Sequence, residues 1–170
     1  MEIIEIKNRV AESSLVTINL EEYYPKDSIA VFDLKDFLFK GLIIKEKEFR
    51  AALQNTNWQQ YENKCVAVTC TTDAVIPMWA YMLVATYLQT VAKEIFYGDE
   101  KALFNSLFLR NLSQFNAEDY AGKRIVIKGC GELPIPEAAY MDITNKLRPV
   151  VKSIMYGEPC STVPVYKRKE

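Results

Sequence analysis

From Lys64 onward the chain alternates short β-rich runs with helical patterns, and that alternation restricts the fold more than any other feature. Cys65–Thr69 (CVAVT) reads as a buried strand, Pro77 opens a helix running to about Ala92, and Glu94–Tyr97 reads as a short strand. Asp99 then caps a helix through Leu112, with Leu103 and Leu107 on one face. Arg124–Lys128 follows as a strand, and Pro136 starts a helix with Tyr140, Ile143 and Leu147 on one stripe. Pro149 breaks or restarts that helix, and Gly157 ends its last turn. Strands spaced by helices must return by crossovers, which predicts a three-layer α/β core with a mostly parallel sheet and helices on both faces.

The first half adds strands and short helices at one edge. Ser14–Leu20 alternates like a strand, and Ile29–Phe32 is a second short β-rich run. Asp33 caps a short helix that turns Leu34, Phe37 and Leu38 inward, with Gly41 placed to end it; a further helix is expected over Lys45–Leu53. The stretch NTNWQQYENK is a polar connection with two aromatic anchors. No internal repeat, low-complexity tract or linker stands out, so a single α/β domain over 1–170 is expected.

A 49% apolar content is enough for one substantial core, and 21 basic against 22 acidic residues give no net pull toward nucleic acid or an anionic membrane. The start, MEIIEIKNRV, has acids where a signal peptide has its basic region, so a cytoplasmic location with reduced thiols is expected. The most apolar stretch, Ala74–Leu88, is shorter than the roughly 20 residues of a membrane span. Being apolar all round, it is expected to be buried behind the sheet or in a contact between subunits, which makes a homo-oligomer the expected assembly.

The sequence has four cysteines and no histidine. Cys65 begins an apolar strand and reads as a small buried hydrophobe. Cys70 closes KCVAVTC, Cys130 sits in IKGCGE and Cys160 in GEPCSTVP, all at breaks where strands or helices end. On an open parallel sheet the loops leaving strands gather on one rim, which is expected to hold Cys70 and Cys130, while Cys160 reaches it only if the extended stretch EPCSTVP folds back. Pro77 and Pro136 mark helix starts whose N–H groups stabilise thiolates. Three readings follow. Cys70, Cys130 and Cys160 are structural; or they bind zinc or an iron–sulfur cluster with Glu158 or Asp73 supplying oxygen; or they carry redox or persulfide chemistry. No C-x-x-C pair is present, and the missing histidine excludes Ser-His-Asp and Cys-His catalysis. Neither nucleotide-binding glycine motif occurs. Thr71, Thr72 and Asp73 in TCTTD either cradle an anion or merely cap the next helix.

The segments VFDLKDFLFKGLIIKEKEFRAAL, CVAVTCTTDAVIPMWAYMLVATYL, IVIKGCGELPIPEAAY and above all LRPVVKSIMYGEPCSTVPVYK resemble the bacterial family known as domain of unknown function 2480. The resemblance covers nearly the whole chain. It implies a small cytoplasmic bacterial protein and carries no catalytic residues with it. It also implies a setting among iron–sulfur assembly proteins as partners, which favours sulfur or cluster handling by Cys70, Cys130 and Cys160. A thiol-based accessory protein is therefore the leading expectation. A homodimeric α/β interaction module with structural cysteines is the alternative, followed by a small-molecule enzyme with an anion-binding loop.

Overall fold

The computed structural model describes residues 15–129, 131–158 and 160–169, and it is a mixed α/β protein. Its strands are β1 (Leu15–Ile18), β2 (Ile29–Asp33), β3 (Cys65–Thr69), β4 (Glu94–Tyr97), β5 (Arg124–Lys128), β6 (Ser153–Glu158) and β7 (Ser161–Lys167). Its α-helices are α1 (Glu46–Gln54), α2 (Met78–Leu88), α3 (Glu100–Leu112) and α4 (Glu137–Leu147). The strands fall into two sheets where one was expected, ordered β2-β3-β4 and β1-β5-β6-β7, parallel except for the antiparallel β6–β7 pair. The chain correspondingly divides into two compact units, an inserted one (Pro25–Leu107) and a split one (Met1–Tyr24 with Phe108–Glu170).

The inserted unit is a three-layer sandwich around β3, whose Cys65, Val66, Ala67 and Val68 are all buried. Val66 and Val68 face a core with Phe32, Phe49 and Leu53 of α1 and Ala80, Val84 and Leu88 of α2. Cys65 and Ala67 face Leu103 and Leu107 of α3 on the other side. A strand covered on both faces needs apolar residues at every position, which is why CVAVT does not alternate. Asp33 caps a 3-10 turn over Leu34–Phe37, as expected, and Gly41, with φ 71°, turns the chain so that Phe39 bridges to Ile43.

In the split unit, Ile125, Val126 and Ile127 of β5 are likewise buried, and α4 buries Ala139, Ile143 and Leu147. The helix ends at Leu147 rather than running on to Gly157. Residues 153–158 form β6, parallel to β5, and the chain returns antiparallel to it as β7, with Glu158 paired to Ser161. This corrects the helical reading of the C-terminal stretch.

The two units repeat one plan. Lys64–Asp99 aligns without a gap on Lys123–Glu158, each residue matching the one 59 positions later. Identical pairs include Ile76/Ile135, Pro77/Pro136, Ala80/Ala139, Tyr81/Tyr140, Met82/Met141, Leu88/Leu147, Ile95/Ile154, Tyr97/Tyr156 and Gly98/Gly157. Strand registers coincide: Cys65 pairs with Ile29 and Glu94, and its counterpart Arg124 with Leu15 and Ser153. Turn hydrogen bonds recur too, Asn63 N to Val91 O at 3.0 Å and Gly122 N to Val150 O at 2.9 Å, both donors standing at positive φ. The expectation of no internal repeat is thereby corrected.

Candidate functional site: paired tyrosine–methionine grooves

A strand on each sheet lines a groove with the helix that precedes it. In the inserted unit, Tyr81 of α2 meets Tyr97 of β4 edge-on, with ring centroids 5.4 Å apart, above Val68, Met82, Ala85 and Ile95. In the split unit, Tyr140 of α4 meets Tyr156 of β6 at 5.7 Å, with Ile127, Met141 and Val165 adding apolar lining and Glu137, Thr144 and Asn145 a polar margin. The split unit's groove is larger, about 610 Å³ against 410 Å³, and β7 extends its wall through Val165. Burial, then the neighbouring Tyr97, raise the Tyr81 hydroxyl above its usual pKa, so it is protonated at neutral pH.

The methionines and strand tyrosines of the grooves stand open to solvent, while Tyr81 and Tyr140 are half-buried. Met82 is 69% exposed, Met141 70% and Tyr97 75%. Helix α2 was expected to be buried on most sides; it buries only Ala80, Val84 and Leu88, and Val75, Met78 and Met82 face outward. Sequence reasoning missed these residues, taking Tyr140 for core and passing over Tyr97 and Tyr156. The signal that identifies them is the match at 59 positions. Core positions repeat because packing demands it, but exposed methionine and tyrosine have no such reason to recur at the same offset.

The loops after β3 and β5 hold carboxylates from their own units. Asp33 accepts hydrogen bonds from Lys35 N (3.0 Å), Thr71 N (3.1 Å) and the Thr71 hydroxyl (2.5 Å), with Lys35 Nζ at 3.3 Å. Glu21 accepts from Leu133 N (2.9 Å) and Asn19 Nδ2 (3.3 Å), with Lys128 Nζ at 3.6 Å. A Cβ on Gly131 would stand 2.3 Å from Glu21 Oε1, so a larger residue there would push the carboxylate aside. Thr71, proposed above for an external anion, is thus engaged by Asp33, while Thr72 and Asp73 are exposed. Neither of those two caps α2, whose N-cap position is Pro77 with no side-chain cap.

Burial alone would raise the Asp33 pKa, but the hydrogen bonds from Thr71 and Lys35 outweigh it and hold the pKa below its usual value. The Leu133 amide, followed by Asn19, does the same for Glu21. A carboxylate depressed in the folded state contributes stability above its unfolded pKa of about 4, and that contribution is lost as pH falls through the folded value. The urea midpoint is therefore expected to fall as pH drops from about 5 toward 3. The paired variant Asp33→Asn, Glu21→Gln should flatten the drop; an unchanged pH slope would show that the carboxylates do not act this way.

The cysteines do not share these positions. Cys65 is fully buried against α3, as expected. Cys70 is half-buried, and its thiol donates to Thr72 O at 3.5 Å. Cys160 is exposed just before β7, and the pairing of Glu158 with Ser161 makes a hairpin of the stretch expected to reach out extended. Glu158 ends β6, with one carboxylate oxygen buried and without a hydrogen-bond partner. Cys130 lies outside the described residues. The expectation of one rim for Cys70 and Cys130 assumed one sheet, whereas β3 and β5, which precede them, belong to different sheets. Among the described residues no three Cys, Asp or Glu side chains are grouped to hold a metal ion. In the repeat, Cys65 stands opposite Arg124, Cys70 opposite Gly129 and Cys130 opposite Thr71.

Among the described residues no helix is long and apolar enough to cross a membrane. The family described as "Protein of unknown function (DUF2480)" matches residues 4–168, and the chain belongs to that family. No curated protein and no solved structure matches it.

Proposed function

We propose that the protein is a binding module that holds apolar side chains of a partner protein in its tyrosine–methionine grooves, chiefly the larger one between α4 and β6. The observation that carries this reading is the recurrence at the same offset in both units of a Tyr–Tyr–Met set whose methionine and strand tyrosine are exposed and whose helix tyrosine is half-buried. Tyrosine offers a large, rigid contact area with a polar tip, and methionine adapts its shape to irregular partners. In the split unit the groove continues into Val163 and Val165, both more than half exposed, so the apolar surface runs from helix to hairpin.

Thiol-based metal or cluster handling has less support. The cysteines have no counterparts in the repeat, and the described thiols of Cys70 and Cys160 lie on different units. An anion-binding enzyme has less support as well, because Asp33 and Glu21 already place negative charge in the two loops.

The test is a displayed-peptide library panned on the whole protein, followed by titration of the best synthetic peptide. Peptides with alternating apolar residues are expected, and Met141→Asp or Tyr156→Ala should weaken them about tenfold or more while far-UV circular dichroism is unchanged. Failure to enrich such peptides, or binding indifferent to both substitutions, overturns the reading.

A further inference from the structure

The two units differ at one sheet edge. In the split unit β6 is covered by antiparallel β7, and Ile154 and Tyr156 stand opposite Tyr166 and Val163. Their counterparts in the inserted unit, Ile95 and Tyr97, lie on β4, which is the last strand of its sheet. Among the described residues nothing equivalent to β7 covers β4, and the chain passes through Gly98 directly into α3.

Hydrogen bonding fixes what this edge offers. Glu94 N and Gly98 N point to Lys64 O and Val68 O across β3, so by alternation the N–H and C=O groups of Ile95 and Tyr97 point to the open side. Their side chains, 36% and 75% exposed, lie on the α2 face beside Tyr81. The split unit ends its own sheet differently. Strand β7 carries Pro164 and a bulge faces it between Ile154 and Met155, devices that stop further strands from adding. Strand β4 has neither.

We infer that β4 pairs antiparallel with β4 of a second copy of this chain, the twofold axis passing through Phe96. This identifies the partner of the smaller groove and rests on the reading of the grooves as binding surfaces. The register follows from chemistry. Only pairings that set outward residues opposite outward residues satisfy the edge, and centring on Phe96 puts Ile95 opposite the second copy's Tyr97 twice, giving four backbone hydrogen bonds. Centring one residue earlier would set Tyr97 opposite Lys93, whose N–H is already bonded to Lys64 O, and leave the Tyr97 carbonyl without a donor. The second copy's strand takes the place that β7 takes in the split unit, and the two three-stranded sheets become one of six.

The experiment is light scattering on the full chain eluting from a sizing column, over a dilution series, with Tyr97→Lys as the variant. The wild type is expected at twice 19.5 kDa and Tyr97→Lys at 19.5 kDa, with unchanged thermal unfolding at a concentration where both are monomeric. A second variant reads the register: Ile95→Cys with Tyr97→Cys in one chain should cross-link between copies on mild oxidation, because directly opposed residues of such a pair have Cα atoms about 5.5 Å apart. A monomeric wild type, or a dimer that survives Tyr97→Lys, overturns the inference. Peptide binding sensitive to Met141→Asp in a monomeric protein would leave the groove reading standing and sink the dimer alone.

Discussion

Phe32→Ala is expected to lower the unfolding free energy of the inserted unit by about 3–5 kcal/mol, the usual cost of truncating a buried phenylalanine. Phe32 is 1% exposed and sits mid-stack, with Phe37 at 5.2 Å on one side and Trp58 at 5.4 Å on the other. Trp58 in turn stacks on Tyr87 at 4.9 Å and donates its indole N–H to Leu53 O at 2.8 Å. The ring planes are nearly parallel throughout, so a cavity at Phe32 removes contacts from both neighbours and they cannot close it without leaving their own partners. The split unit has Ile18 at this place and Ala117 opposite Trp58, so the Phe32 and Trp58 rings have no aromatic counterparts at the equivalent positions. Ile18→Val should cost only about 0.5–1.5 kcal/mol. Both tryptophans, Trp58 and Trp79, lie in the inserted unit, so urea unfolding followed by tryptophan fluorescence reads that unit directly. A loss below about 1 kcal/mol for Phe32→Ala would mean the stack relaxes around the gap.

The elements from β1 to α4 were legible because each is written locally. Proline marks the starts of α2 and α4, Asp33 caps its turn, and the apolar runs of β3 and β5 announce strands buried on both faces. Sheet membership was not legible, because it depends on which strands pair across tens of residues. Strand β1 bonds to β5 over the whole inserted unit, a pairing that no local pattern encodes. The repeat was hidden for the same reason, since its second copy is split and its first strand comes before the insertion. Once the offset is seen it corrects the largest local error: SIMYGE matches EIFYGD, so the stretch read as a helix end is the counterpart of β4.

Cys70 stands in a loop at a strand end, and what the structure shows in such loops is a bound carboxylate rather than a cluster of thiols. The loops after β3 and β5 are polar junctions that tie each unit together through Asp33 and Glu21, while the apolar surface lies along the side of each sheet. An exposed Tyr or Met carries little signal alone, because scattered surface hydrophobes are ordinary. It gains meaning only when the same set recurs on an equivalent frame.

The repeat also sets up a matched pair of glycine substitutions, and Gly157→Ala is expected to be far more damaging than Gly98→Ala. Both glycines hold φ in a range that side chains rarely adopt, 143° at Gly98 and 127° at Gly157, so each alanine carries a backbone strain of about 1–3 kcal/mol. The surroundings then separate them. A Cβ at 98 meets the edge of the Phe96 ring at 2.8 Å, and that ring can swing aside. A Cβ at 157 stands 2.4 Å from the carbonyl oxygen of Ser161, a backbone atom fixed by the β6–β7 ladder, so relief requires the hairpin to open. Hydrogen exchange should accordingly show the amides of Ser161–Lys167 losing protection in Gly157→Ala and keeping it in Gly98→Ala. Opening β7 would also bare Ile154 and Tyr156, turning β6 into an edge like β4 and giving the variant a second route to self-association at high concentration. Equal protection of β7 in the two variants would show that the ladder yields around the extra carbon, and that β7 covers its edge less firmly than the close approach at Gly157 implies.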